Sequence, residues 1–295
     1  MAKSDSIKII QYVVVTPVRD EEDYIEKTIL SMLAQTILPA EWIIVDDGST
    51  DNTSVIIDRY AKEHEWIKAL HRRNRGYRKA GGGVVESFYH GHQALSTKEW
   101  DYISKFDGDL SFEPEYFEQC FTYFLAEPTL GIGGGEVYHK IGNALVLEKN
   151  PLFHVRGATK IYRKACWEAI GGLIQDPGWD TVDEVKANML GWTTRSFPNL
   201  RLIHHKFTGS ADGTWGGYVK NGRANYIAGY HPIFMIAKCF KRIFDKPFLL
   251  KALGLFYGFI SGYLKGIKQV SDPKLIRYLR DQQINRLLFR DSIWK

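Results

Sequence analysis

Apolar residues fall into two spacings along this chain. Ile10 to Thr16 (IQYVVVT) is a continuous β-branched run stopped by Pro17, and Trp42 to Asp46 (WIIVD) is another; both predict buried strands. Between them Ile25, Ile29 and Leu33 recur at helical spacing, predicting a helix from about Glu22 to Gln35. GSTDNT then supplies a turn and capping residues before a helix carrying Val55, Ile56 and Tyr60. The same reading predicts strands at Ile67 to His71, Trp100 to Phe106, Leu130 to Val137 and Leu200 to His204. Helices are expected to end near Ala94, to span Glu115 to Leu125, to precede Gly171-Gly172, and to run from Val182 to Leu190. Residues 140–165 show no regular period. Strands alternating with helices predict an α/β domain with a mostly parallel sheet, placed at residues 1–227.

The last stretch, residues 228–295, differs. Ile233, Ile236, Ala237, Phe240, Ile243 and Phe244 share one helical face, with Lys238, Lys241 and Arg242 off it; Lys246-Pro247 breaks this helix. An apolar aromatic segment follows, and Asp272-Pro273 opens a last helix bearing Arg277, Arg280, Arg286 and Arg290. The formal charge of +5 conceals a division. Residues 236–295 hold 13 Lys/Arg against 4 Asp/Glu, net +9, leaving residues 1–235 with 26 against 30, net −4. The longest uncharged apolar stretch, Ala252 to Leu264, is 13 residues, short of the roughly 20 that a spanning helix needs. No signal peptide is expected from MAKSDSIKIIQ. Three widely spaced cysteines, Cys120, Cys166 and Cys239, exclude a disulfide framework or zinc knuckle and fit a reducing, cytoplasmic compartment.

Candidate chemistry gathers where strands end, because ligands of open α/β sheets bind beyond the carboxyl edge. Thr16-Pro17-Val18-Arg19-Asp20-Glu21-Glu22, Asp46-Asp47-Gly48-Ser49 and Asp107-Gly108-Asp109 are three acidic clusters that repel one another unless a cation or donors sit between them. Asp107 and Asp109 are spaced to reach one hard cation, Mg²⁺ or Mn²⁺, shared with substrate phosphates. Neither a P-loop nor a dinucleotide fingerprint is present. Gly81-Gly82-Gly83 is either a close-packed helix entry or a phosphate contact helped by Arg78 or Lys79.

In order, TPVRDEEDYIEKTILSMLAQ, EWIIVDDGSTDNT, YISKFDGDLSFEPEYFE, YRKACWEAIGGL and GWDTVDEVKANMLGWTTRSFPNLRLIHH resemble glycosyltransferase family 2 over Val13 to Phe207. The resemblance implies a GT-A fold, Rossmann-like, with the C-terminal helical part as an extension, and inverting transfer from a nucleoside-diphosphate sugar. It puts Pro17, Arg19 and Glu21 at base and ribose, Arg19 replacing the family's usual aromatic, and Asp46 at the nucleobase. Asp107 and Asp109 take metal and diphosphate, and His204, 13 residues after Gly191, completes the metal site or touches the diphosphate. The general base falls on Asp180, 11 residues before Gly191, with Trp179 where the family carries Glu; Asp183 and Glu184, one turn on, are the alternatives. Arg223, within Tyr218 to Tyr226, lies where relatives carry a mobile loop that closes on the diphosphate, and Trp215 either stacks on a sugar or packs. His205 is expected to pack.

The basic tail is either a packing or oligomer surface or, as favoured here, an interfacial anchor on an anionic membrane, peripheral on its cytoplasmic face. That location implies a lipid-linked or growing-glycan acceptor. A catalytically silent nucleotide- or glycan-binding scaffold is the alternative, opposed by the intact Asp107, Asp109 and Asp180. A sugar nucleotidyltransferase is opposed by TPVRDEE, which lacks its Gly-rich basic loop, and nucleic-acid binding by the net acidic main domain.

Overall fold

A computed structural model describes residues 10–77, 82–206, 213–245 and 247–294. Four parallel strands form one half of the sheet, in the order β3 (Ile67–His71), β2 (Glu41–Asp46), β1 (Tyr12–Val18), β4 (Tyr102–Phe106). Parallel neighbours need crossovers, and α1 (Ile25–Leu33), α2 (Thr53–Glu63) and α3 (Gly82–Ala94) supply them. Val13 and Val15 face one buried layer with Val85 and Phe88, while Tyr12 and Val14 face another with Ile29 and Phe117. Burial on both faces explains the unbroken apolar runs. Pro17 does not end β1. It lies past Val15, the last residue paired with β4, where the missing N–H costs no ladder bond on that side.

The other half is mixed. Its order from β4 is β8 (Thr159–Arg163), β6 (Leu130–Ile141), β9 (Thr193–His204), β5 (Leu110–Phe112), with β7 (Ala144–Leu147) hairpinned on β6. Here β8 is antiparallel to β4 and β6, and β6 is parallel to β9. The strand β8 corrects the aperiodic reading of residues 140–165. Helices α4 (Tyr116–Ala126), α5 (Lys164–Ile170) and α6 (Trp179–Met189) cover this half.

Helix α7 (Gly213–Ile227) precedes the tail, which consists of α8 (Pro232–Lys241), α9 (Leu250–Leu264) and α10 (Pro273–Leu287). The expected loop at Tyr218 to Tyr226 is therefore helix. Glycines let α7 and α9 approach closely: a Cβ on Gly222 would stand 2.1 Å from the Leu255 carbonyl oxygen, and one on Gly258 2.0 Å from that of Val219. Asp272 caps α10, accepting from the backbone N–H of Lys274 at 3.0 Å and of Leu275 at 3.1 Å. A third core joins the tail to the mixed half of the sheet, with Phe153, Val182 and Val185 packed among Met235, Leu255, Phe259, Leu275 and Trp294. The helix α8 buries Met235 and Cys239 and turns Ile233, Ile236 and Phe240 outward, with Phe244 just past its end, each more than half exposed. Lys238, off that stripe, is tucked over the Tyr230 ring at 5.0 Å, and burial with nearby Arg242 pulls its amine down to about 8. Among the described residues, no helix is long and apolar enough to cross a membrane.

Candidate active site

At the ends of β1, β2 and β3, polar groups close around one corner. Asp46 is buried; its Oδ1 accepts from the Ser49 N–H at 2.8 Å and its Oδ2 faces His71 Nδ1 at 3.2 Å. Asp47 accepts from Arg72 at 2.6 Å and also from Arg75. Gly48 has φ +76° and lies against residue 74, whose Cα would be 2.5 Å from a Cβ there, so the turn admits no side chain. Arg19 donates from Nη2 to Asn74 Oδ1 at 3.1 Å, which ties the β1 loop to this corner; Pro17 lies in register with Val45. Arg78 and Lys79 lie outside the described residues.

The acidic centre forms between β4, β5 and β9. Asp109 is buried, with Oδ2 3.0 Å from His204 Nε2, while half-buried Asp107 pairs with Lys105. One ligand atom from each of Asp107, Asp109 and His204 lies within 4.8 Å of the other two. Burial alone would lower the His204 pKa, but the Asp109 hydrogen bond and the charges of Asp109 and Asp107 raise it. Glu21 reaches the same centre. Lys206 holds its Oε1 at 2.9 Å, its Oε2 is buried without a partner among the described residues, and burial with the Asp109 charge pushes its carboxyl up to about 7. His205 packs beside this centre, its ring stacked on Tyr24 at 5.9 Å.

A peptide links this centre to α6. The Asp107 N–H donates to the Ala158 carbonyl at 3.0 Å, and a Cβ on adjacent Gly157 would stand 3.3 Å from Asp180 Cβ. Asp180 is half-buried. Burial would raise its pKa, yet His154, Lys160 and Arg156 together lower it. Asp183 and Glu184 are sequestered. Lys160 Nζ lies 2.8 Å from both Asp183 oxygens, 2.9 Å from Glu184 Oε1 and 2.5 Å from the Asp180 carbonyl oxygen. Tyr162 donates to Asp183 at 2.6 Å, and Glu184 also takes the Val155 N–H at 2.7 Å and His154 Nδ1 at 2.7 Å. With every oxygen engaged below the surface, neither acid is presented as Asp180 is. Trp179, in the family's Glu position, lies under two ammonium groups, Lys105 at 5.4 Å and Lys160 at 5.5 Å.

Arg223 is not at this centre. It lies on α7 facing α9, with Nη2 3.4 Å from Ser261 Oγ and Nε buried without a partner among the described residues. Trp215 packs near Tyr257 with ring centroids 6.2 Å apart. Sequence reasoning missed Lys105, Lys160 and Lys206. For the first two a signal existed, a lysine inside an otherwise buried strand, which needs a carboxylate partner.

The chain was compared with known proteins. A family model described as Glycosyl transferase family 2 matches residues 13–172. Chondroitin synthase of Pasteurella multocida (strain Pm70) is 32% identical over 108 residues, 37% of this chain and 10% of that protein. The putative teichuronic acid biosynthesis glycosyltransferase TuaG of Bacillus subtilis is 30% identical over 112 residues, 38% of this chain and 41% of that one. This chain thus spans well under half the length of these relatives. Among solved structures, the mannosyltransferase PcManGT of Pyrobaculum calidifontis, in complex with GDP-Man and Mn²⁺, superposes with a TM-score of 0.54 at 15% identity, covering 95% of this chain and 88% of that one. S. aureus TarS 1-349 in complex with UDP gives 0.54 at 14% identity, covering 87% and 72%. The likeness to these structures shows the GT-A fold. With its strand-end acids gathered on that fold and more than half its length matched by the family model, the chain belongs to glycosyl transferase family 2.

Proposed function

We propose that the chain transfers a sugar from a nucleoside-diphosphate donor to a hydroxyl or phosphate acceptor, with inversion, and that it works against a membrane on a lipid-linked acceptor or growing surface glycan. The convergence of Asp107, Asp109 and His204 within 4.8 Å, one peptide from Asp180, carries the first part. The names of the superposed structures, with UDP in one and GDP-Man and Mn²⁺ in the other, support the donor class.

Two carboxylates and an imidazole fit Mg²⁺ or Mn²⁺, and Glu21 adds a third carboxyl beside them, one oxygen held by Lys206 and the other buried without a partner among the described residues. Asp107, Asp109 and His204 would hold the ion, which when bound supplies charge neutralisation for the leaving diphosphate. Asp180 takes the proton of an acceptor hydroxyl attacking from the face opposite the diphosphate. A single displacement inverts the anomeric carbon. The cations around Asp180 keep its carboxyl ionised and so ready to accept that proton.

A nucleotide-release assay with UDP-, GDP- and dTDP-sugars plus Mn²⁺ or Mg²⁺ tests this reading. Release is expected with at least one donor, to vanish on chelation, and to fall about a hundred-fold in Asp109→Ala. Release that survives both treatments refutes the metal role.

The outward stripe of α8 carries the membrane part. Ile233, Ile236, Phe240 and Phe244 continue into Phe248, Leu249 and Leu253, all more than half exposed, and Lys241, Lys265 and Lys268 of the same C-terminal part are exposed too. Aromatic and aliphatic groups flanked by lysines suit the interface of an anionic bilayer. Removing residues 233–295 would also strip the packing of Val182 and Val185, so surface substitutions are the cleaner probe. The full chain is expected to sediment with phosphatidylglycerol vesicles and not with phosphatidylcholine. Phe240→Glu with Phe244→Glu should weaken binding more than ten-fold, each buried Phe contributing about 1.5–3 kcal/mol. Failure of the full chain to bind, or binding unaffected by the double substitution, excludes this surface as a membrane anchor.

A further inference from the structure

His204 has a second nitrogen that the sugar-transfer reading leaves unused. Its Nε2 meets Asp109, whereas Nδ1 is buried without a hydrogen-bond partner among the described residues, on a side chain only 9% exposed. The parallel register of β6 and β9 sets His139 beside it, the rings stacked at 5.3 Å. Glu148, just past β7, places Oε2 3.4 Å from His139 Nε2 while Arg156 holds its Oε1 at 3.1 Å. One ligand atom from each of His139, Glu148 and His204 lies within 4.8 Å of the other two.

The surrounding hydrogen bonds select the lone pairs. His139 Nδ1 lies 3.2 Å from the His204 carbonyl oxygen and, donating there, leaves Nε2 an acceptor facing a carboxylate. In its neutral form His204, donating Nε2–H to Asp109, likewise holds a lone pair at Nδ1. A second proton on His139 would satisfy Glu148 but leave His204 Nδ1 buried and unpartnered. A cation satisfies all three.

We propose that His139, Glu148 and His204 form a second divalent-cation site, with a two-nitrogen, one-carboxylate donor set that suits Zn²⁺. It differs in kind from the Asp107–Asp109 oxygen pair, which suits harder ions. Each ligand already has the outer partner that orients metal ligands: the His204 carbonyl for His139, Asp109 for His204 and Arg156 for Glu148. Bonds of about 2.0–2.2 Å require the three groups to draw together by roughly an ångström. Zinc on Nδ1 commits Nε2–H to Asp109, so His204 cannot then serve the acidic pair, and zinc is expected to oppose Mn²⁺ or Mg²⁺ there.

The test is direct binding. The full chain, freed of metal by chelation, is titrated with zinc against a chromophoric chelator. One equivalent is expected to bind, with affinity lowered about 10–100-fold by His139→Ala and by Glu148→Gln and unchanged by Asp107→Asn, thermal melting confirming that each variant is folded. No zinc bound by the wild type overturns the proposal. So does equal binding by folded His139→Ala and Glu148→Gln, or loss on Asp107→Asn alone, which would put the ion on the acidic pair. Because zinc binding is the readout, failure of the sugar-transfer reading leaves this site standing, and the reverse.

Discussion

Asp180→Asn is expected to lower sugar transfer about a thousand-fold while leaving donor affinity unchanged, as removal of a general base does when the donor is held elsewhere. The amide keeps the side chain's size and cannot accept the acceptor's proton. Wild-type activity on the acid side should follow the same carboxyl. Its pKa is lowered by His154, Lys160 and Arg156 despite burial, so the base form persists below the ordinary carboxylate range and the rate falls only as pH drops past that lowered value. Single-turnover transfer and donor titration, measured on both proteins, separate the two effects. Transfer within a few-fold of wild type in Asp180→Asn would move the base elsewhere. Asp183 and Glu184 are poor successors, since Lys160, Tyr162, His154 and the Val155 N–H already occupy them.

Lys160→Met is expected to cost about 3–5 kcal/mol of folding stability, the usual loss when one member of a buried ion network is removed. Lys160 is fully buried, and without it Asp183 and Glu184 face each other with no cation between them. Asp183 already feels that repulsion: burial and Glu184 push its pKa upward against the opposing pull of Lys160 and Tyr162. Adding Asp183→Asn and Glu184→Gln to Lys160→Met should recover part of the loss by removing the stranded charges. Chemical denaturation measures both variants. A change below about 1 kcal/mol in Lys160→Met would show that the network does not hold α6 in place.

The parallel half of the fold was legible because β1, β2 and β4 are buried on both faces and its strands contain few charges. Strand β3 has the predicted bounds, and β2 and β4 differ from them by one or two residues. Where the reading lapsed, a distant partner overrode the local pattern. In TKIYR, Lys160 and Arg163 hide a central strand because the neutralising acids of Lys160 lie on α6, some two dozen residues away. In GTWGGYVKNGRANYI the resemblance implied a loop, but the segment is helical and Gly222 serves the close approach of α9. The candidate site was legible to the extent that its acids end strands: Asp107, Asp109 and His204 meet. Arg223 does not join them, because its neighbourhood was inferred as loop and folds as helix. His139 and Glu148 gave no motif to read; only the register of β6 on β9 and the β6–β7 hairpin bring them together.

Val182 and Val185, on the helix that begins at Trp179 and Asp180, lie in the same core as Met235 and Leu255. The proposed base and the aromatic stripe therefore ride on elements that share one core. Under the membrane reading proposed above, that shared core would act as a caliper, fixing the height at which Asp180 stands above the lipid phosphates. A lipid-linked acceptor would then be sorted by its reach as well as its chemistry, since a hydroxyl carried too low or too high on its lipid would not come level with the carboxylate.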